Sequence, residues 1–450
     1  MDKYLLKRIR TEAKAIFRES LRPVNPYGAV KNFVRIENDQ LILGKDGEKQ
    51  NTLDLKQFDR ISLVGGGKAT APMALAMEEL LGERVRTGMI NVKYGFTEKL
   101  GVTRTVEASH PLPDENGVKG TEAILDYLAK TNDKDLIISL ISGGGSALLC
   151  QPAQGITLGE KQTLTGMLLD CGASIDEINA VRKHISAAKG GQMARAAFPA
   201  TVVNLMLSDV VGDKMDVIAS GPFVPDSSTF EDALGILRKY DLKGVPGSIV
   251  QRLEDGAQGR IPDTPKEGDS VFLNVFNIIV GSNILALEAA EKKAGELGYN
   301  TLILSSLIEG ETRDVARVHC AILREICRSD RPTQKPACII SGGETTVTMR
   351  GKGLGGRNQE FCLTSAVEIA GLPEKMVVLS GGTDGNDGPT DAAGAVVDPY
   401  TVERGRKAGL SAVDFLDNND AYHFFEKTED LLMSGPTNTN VMDVRLLLVR

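Results

Sequence analysis

The 450-residue chain contains no tryptophan and only four histidines, and aromatic residues make up 5% of it. That scarcity removes the stacking platforms on which single-stranded nucleic acid is usually held. It also leaves a core built mainly from aliphatic side chains. Six cysteines (Cys150, Cys171, Cys320, Cys327, Cys338, Cys362) include no C-x-x-C pair, and neither they nor the histidines show zinc-ligand spacing. They therefore read as small apolar groups rather than disulfides or a structural metal site. No run approaches the ~18 apolar residues of a bilayer span. The first 18 residues are interrupted by Lys3, Lys7, Arg8, Arg10 and Lys14 and lack an apolar targeting segment. A net charge of −8 repels polyanions, so DNA, RNA and anionic membranes are poor partners. A cytoplasmic protein is expected, and any phosphate site must be a local cluster of cations and backbone N–H groups.

Glycine is abundant, at 48 residues against an ordinary share of about 7%, and much of it follows short aliphatic runs. Ile61–Val64 leads into Gly65-Gly66-Gly67-Lys68 and a helix from Pro72 to Leu81; Leu136–Ile141 leads into Ser142-Gly143-Gly144-Gly145-Ser146. The same grammar recurs at Phe276–Val280, Ala337–Ile340 and Met376–Leu379. Strands alternating with helical stretches predict an α/β fold with largely parallel sheets, in which ligands bind beyond the carboxyl ends of the strands. Leu5, Ile9, Ala13, Ile16 and Phe17 predict an N-terminal amphipathic helix. Enrichment in Gly, Pro and charge places a linker at 241–269, between domains 1–240 and 270–450.

Several of these loops have chemistry. The Gly65–Lys68 turn offers backbone N–H groups at a helix start plus an ammonium, which suits phosphate or carboxylate; a sharp βα turn is its structural alternative. It is neither a Walker A motif nor a dinucleotide fingerprint, since Ala69 follows the lysine, Thr70 stands where a third glycine belongs, and the next strand ends in Lys93 rather than an acid. Ser142–Ser146 is a second cradle without its own charge. Arg182-Lys183-His184, with Lys189 just beyond, is a basic cluster; on a continuous helix Arg182 and Lys189 would share one face and meet an anion, or simply be solvated. Asp209 ends the strand Asn204–Leu207, where it suits a hydroxyl, a metal or a turn. Toward the C-terminus, Glu344, the Arg357-Asn358 pair and the loop carrying Asp384, Asp387 and Asp391 combine an Arg fork with oxygen ligands suited to Mg²⁺, or form an Asx-turn-rich loop.

Taken in order, Val64-Gly65-Gly66-Gly67-Lys68-Ala69, His110-Pro111-Leu112-Pro113-Asp114, Ser142–Leu148, Ile178–His184, Ser208–Asp213, Ser220-Gly221-Pro222, Gly342-Gly343-Glu344-Thr345, Gly355–Glu360 and Gly382–Gly385 resemble the type 2 glycerate kinases. The C-terminal part is similar to that family's MOFRL domain. The resemblance implies a larger N-terminal Rossmann-like domain, a smaller C-terminal α/β domain, a cleft between them, and ATP-dependent phosphorylation of D-glycerate, usually to 2-phosphoglycerate. It implies catalytic roles for Lys68 and Arg357. The residues' own chemistry adds Asp209 as a catalytic candidate, Gly66, Gly67, Ser142, Gly143, Gly144, Gly145, Ser146, Arg182, Lys183 and Asn358 for substrate or nucleotide, and Glu344, Asp384 and Asp387 for Mg²⁺. An NAD(P)-dependent hydroxypyruvate reductase is the rival enzyme, opposed by the broken fingerprint. A sugar-acid sensor is the non-enzymatic rival, opposed by the acidic loop. Assembly as a homodimer is compatible with the sequence, and which hydroxyl is phosphorylated is not fixed by it.

Overall fold

Short apolar runs capped by glycine become strands, and their burial explains the sequence. The computed structural model describes residues 2–45, 47 and 50–450. The chain divides into two compact units, Pro26–Val280 and the residues up to Asn25 together with Gly281–Arg450.

In the first unit, β1 (Arg60–Gly66), β2 (Val85–Lys93), β3 (Thr103–Ala108), β4 (Asp135–Ile141), β5 (Thr201–Leu207) and β6 (Val275–Gly281) form one sheet in the order β3-β2-β1-β4-β5-β6. The pairs from β3 through β5 are parallel. All seven residues of β4 are buried, as a central parallel strand with both faces covered requires. This is the doubly wound order, whose direction reverses between β1 and β4. Gly66 pairs with Ile141, so the glycine turns that leave the two strands start side by side. One core joins Val64, Ile137, Ile141, Val202 and Met206 to Ile124 and Phe223.

A second core packs helices Leu158–Asp170, Ile175–His184, Phe230–Lys239 and Gly247–Ala257 around Leu164, Val181 and Phe230. The segment read as a linker, 241–269, thus holds a helix whose Ile249 and Leu253 are fully buried in that core. Its glycines and prolines punctuate the helix ends and do not mark a domain boundary.

The second unit carries β7 (Asn300–Ile308), β8 (Ala337–Gly343), β9 (Met376–Gly382), β10 (Gly394–Val397), β11 (Leu431–Leu432) and β12 (Asp443–Val449), ordered β7-β8-β12-β9-β10-β11. Only β7 and β8 pair in parallel; β12 runs antiparallel between β8 and β9. This sheet is therefore mixed and mostly antiparallel, whereas the first unit's sheet follows the largely parallel expectation. A C-terminal strand inserting between two earlier ones has no following crossover helix to fix its direction.

The N-terminal helix Asp2–Ser20 forms as the periodicity predicts, and it packs on the helix Asn283–Glu296 and on β9 and β12. Ile9, Ala13 and Ile16 are fully buried there. Arg10 pairs with Asp398 and Asp430 at 2.6 Å each, and Glu12 pairs with Arg450 at 3.1 Å. The first residues thus belong to the C-terminal unit, because their apolar stripe is completed there. Among the described residues no helix is long and apolar enough to cross a membrane.

Truncating the stripe tests this. Ile9→Ala or Ile16→Ala should cost about 2–5 kcal/mol. Calorimetry should place the loss in the transition of the C-terminal unit; a loss confined to the 26–280 unit would contradict the packing.

Candidate active site

The β1 and β4 turns interlock. Lys68 N donates to Gly143 O at 2.9 Å and Ala69 N to Ser142 Oγ at 3.0 Å, while Ser142 N returns a bond to Gly66 O at 3.4 Å. Gly67 sits so close that a Cβ there would overlap Ser142, and its φ of 151° is one that other residues rarely adopt. Gly144, at φ 82°, packs against the His110 ring and the Lys68 stem. The interlock has two consequences. The Lys68 ammonium makes no ion pair or hydrogen bond among the described residues, and the Gly143 and Gly144 N–H groups donate to no protein group there.

Asp209 follows β5, the strand beside β4, and its carboxylate lies against Gly143, where any Cβ would overlap it. Burial pushes the Asp209 carboxyl up, and the Lys68 charge pulls it partly back. The two feel one another without forming a direct ion pair. Burial, followed by the Lys68 and Lys93 charges, pushes His110 down to about 4, so its imidazole is neutral beside the ammonium. Ser146 is pinned by Ser220 (Oγ to Oγ 2.9 Å), which in turn donates to Asn179 Oδ1 at 3.1 Å. Ala219 and Ser220, at φ 51° and 60°, carry backbone strain directly behind the cradle. An unpaired cation, a carboxylate of raised pKa and two idle N–H groups thus converge at the sheet's switch point.

The basic cluster splits. Helix Ile175–His184 ends before Lys189, so Arg182 and Lys189 do not share a helix face, yet both line a cavity of about 400 Å³ that also reaches Gly144 and Ser146. Lys183 does not join them: its ammonium is buried at 3.2 Å from both Asp216 and Asp226. His184 is likewise occupied, by Ala180 O at 2.7 Å and Asp263 at 3.0 Å.

In the other unit the residues around Arg357 form a closed network. Asp443, fully buried at the start of β12, accepts from Arg357 Nε (2.8 Å), Arg445 Nη2 (2.8 Å) and Asn358 Nδ2 (2.8 Å). Arg357 also pairs with Glu344 at 2.7 Å. Burial alone would lower the Arg357 pKa, but Asp443 and Glu344 outweigh it and hold the guanidinium charged. Asn358 is a strut, accepting from Ser380 Oγ at 2.5 Å and donating to Asp443, rather than an open binding group.

The proposed metal set is not assembled. Asp387 caps the helix Arg357–Glu368 through Asn358 N (3.0 Å) and Gln359 N (2.8 Å), and burial pushes its carboxyl up to about 7 against those bonds. Glu344 is paired with Arg357, and Asp384 closes an Asx turn onto Asn386 N at 3.1 Å. Among the described residues no three His, Cys, Asp or Glu side chains group to hold a metal ion. These donors, each spent on a protein partner, do not fit a protein-built Mg²⁺ cage.

Asp443 and Arg445 were not foreseen. Their signal is an acid and a base two residues apart on one face of an otherwise aliphatic run, which is anomalous in a buried strand. His110 was visible only as part of the string His110-Pro111-Leu112-Pro113.

Residues 12–254 match a family model described as a domain of unknown function (DUF4147), and residues 337–443 match the MOFRL family. The D-glycerate 2-kinase of Thermotoga maritima is 42% identical over 405 residues, 90% of this chain and 94% of that protein. A crystal structure of glycerate kinase (EC 2.7.1.31) from the same organism superposes with a TM-score of 0.87 at 40% identity, covering 99% of this chain and 100% of that one. An Agrobacterium vitis relative, 40% identical over 89% of each chain, bears the provisional name of a hydroxypyruvate reductase. With both family models matched in order and near-complete coverage in sequence and structure, the chain belongs to the DUF4147–MOFRL family of type 2 glycerate kinases.

Proposed function

We propose that the protein transfers the γ-phosphoryl group of ATP to D-glycerate, forming 2-phosphoglycerate and ADP. The observation that carries this reading is the placing of an unpartnered ammonium, Lys68, near the carboxylate of Asp209 across the Gly143–Gly144 turn. Phosphoryl transfer needs positioning and charge neutralisation more than covalent help. Asp209 accepts the proton of the attacking glycerate hydroxyl as its oxygen bonds to phosphorus and the bond to the β-phosphate oxygen breaks. A carboxyl raised above its ordinary value is a better base for that task at neutral pH. Lys68 offsets negative charge on the transferring group, and the idle Gly143 and Gly144 N–H groups bind phosphoryl or carboxylate oxygens. Arg357 is assigned oxyanion binding through the guanidinium donors not spent on Asp443 and Glu344.

Mg²⁺ carried by the nucleotide would spread phosphate charge; no ligand from this chain is assigned to it. The dehydrogenase reading is disfavoured because β2, the strand whose end should supply a ribose-binding acid, ends in Lys93. Six free cysteines agree with a reducing compartment, which supports the cytoplasm as the site of action.

Purified protein with D-glycerate, ATP and Mg²⁺ should release ADP, and enolase should consume the product at once; NAD(P)H oxidation by hydroxypyruvate with no ADP release would overturn the reading. Lys68→Ala and Arg357→Ala should each lower kcat/KM by about 10²–10³, and Asp209→Asn by about 10²–10⁴, with circular dichroism unchanged. Activity should be lost as pH falls through the raised Asp209 pKa, since only the carboxylate accepts the proton. Because Lys68 holds that pKa down, the acid limb of residual Lys68→Met activity should move to higher pH; a limb that stays in place would remove Asp209 from the role of base.

A further inference from the structure

The cavity beside the Gly144–Ala147 turn gathers cationic side chains that no acid among the described residues pairs with. Its wall is apolar at Pro111, Leu112 and Leu169 but also presents Lys161, Arg182 and Lys189. Lys161 and Lys189 are buried, at 5% and 1% exposure. Their ammonium groups meet only carbonyl oxygens: Lys161 donates to Cys150 O at 3.1 Å, and Lys189 to Ser146 O at 2.8 Å and Leu149 O at 3.1 Å. Each ammonium has three donors, so both retain N–H capacity. Arg182 makes no hydrogen bond or ion pair among the described residues.

Two other buried charges of this unit, Asp135 and Lys183, are paired. Arg60 meets Asp135 at 2.6 Å, and Lys183, adjacent to Arg182, meets two carboxylates. Burial lowers Lys161 to about 8 and Lys189 well below its ordinary value, and their neighbours in this group push them the same way. Gathering three cationic side chains with no acid among the described residues penalises their charged forms, and an anion joining them would relieve that penalty. The arrangement is also held in place. Lys189 is followed by Gly190 and Gly191, whose N–H groups donate to Ser220 O (2.9 Å) and Gly221 O (2.8 Å). Its bond to Ser146 O ties it to the cradle that includes Lys68.

We propose that Lys161, Arg182 and Lys189 form an oxyanion subsite in this cavity, which takes the carboxylate of glycerate or a phosphoryl group of the nucleotide. The identity of that ligand rests on the kinase reading; the need for an anion does not.

The full-length protein and its Lys161→Met, Arg182→Met and Lys189→Met variants test this by thermal shift with inorganic phosphate and by calorimetric titration with D-glycerate and with ADP, each alone. Phosphate should raise the Tm of the unchanged protein, and that rise should shrink or vanish in the variants. Because each lysine also bonds buried carbonyl oxygens, its loss lowers the ligand-free Tm on its own account, and the phosphate-induced rise is read against each variant's own ligand-free Tm. Affinity should fall by about tenfold or more for D-glycerate if the carboxylate occupies the subsite, or for ADP if a phosphoryl group does. Phosphate response and both affinities unchanged within about twofold in all three variants would overturn the proposal. Should a lysine variant fail to fold, half-buried Arg182 decides through Arg182→Met and its rescue by Arg182→Lys. A phosphate response lost in the variants, alongside no ADP release from the unchanged protein, would retain the subsite and discard the kinase.

Discussion

The chemistry of the larger unit depends on two glycine turns that touch. Because β1 and β4 are neighbours at the reversal of a parallel sheet, their exits meet, and the bond from Lys68 N to Gly143 O locks them at 2.9 Å. Neither turn tolerates a Cβ at the contact: Gly67 would strike Ser142, and Gly143 would strike Asp209. Backbone contacts therefore hold the turns, and the functional groups are left uncommitted. Lys68 keeps its charge unpaired, and Asp209 stays close enough to sense that charge without being neutralised by it.

Charge is distributed by the same logic in reverse elsewhere. Asp443, fully buried, is satisfied by Arg357, Asn358 and Arg445, and Asp387 is consumed by the N-terminus of the Arg357–Glu368 helix. That network fixes the orientation of Arg357 through Asp443 and Glu344. Saturated networks hold the scaffold, whereas Lys68 and Arg182 have no ion pair or hydrogen bond among the described residues. Lys183 and Arg182, adjacent in sequence, fall on opposite sides of that distinction.

The α/β class, the strands ending in glycine turns, the N-terminal helix and the placing of Lys68, Ser142–Ser146 and Asp209 just beyond strand ends were legible because each is local. A strand, a turn and a helix start lie within about ten residues, and hydrophobic period and turn chemistry report on that range. What depends on distant partners was not legible. The 241–269 segment has the composition of a linker, but Ile249 and Leu253 find a core formed by helices 158–239. The N-terminal helix completes a core more than 250 residues away in sequence. Lys183 and Arg182 looked alike until Asp216 and Asp226 were placed. The acidic loop resembled a metal site because carboxylate spacing does not reveal that Asp387 faces a helix end.

A crystal structure of the protein with D-glycerate and a non-hydrolysable ATP analogue would test most directly whether the Lys68–Asp209 pair organises the reaction. The predicted result is a glycerate hydroxyl at about 2.6–3.2 Å from an Asp209 oxygen, with Lys68 on the γ-phosphate. A glycerate that leaves Asp209 without any ligand contact would contradict it.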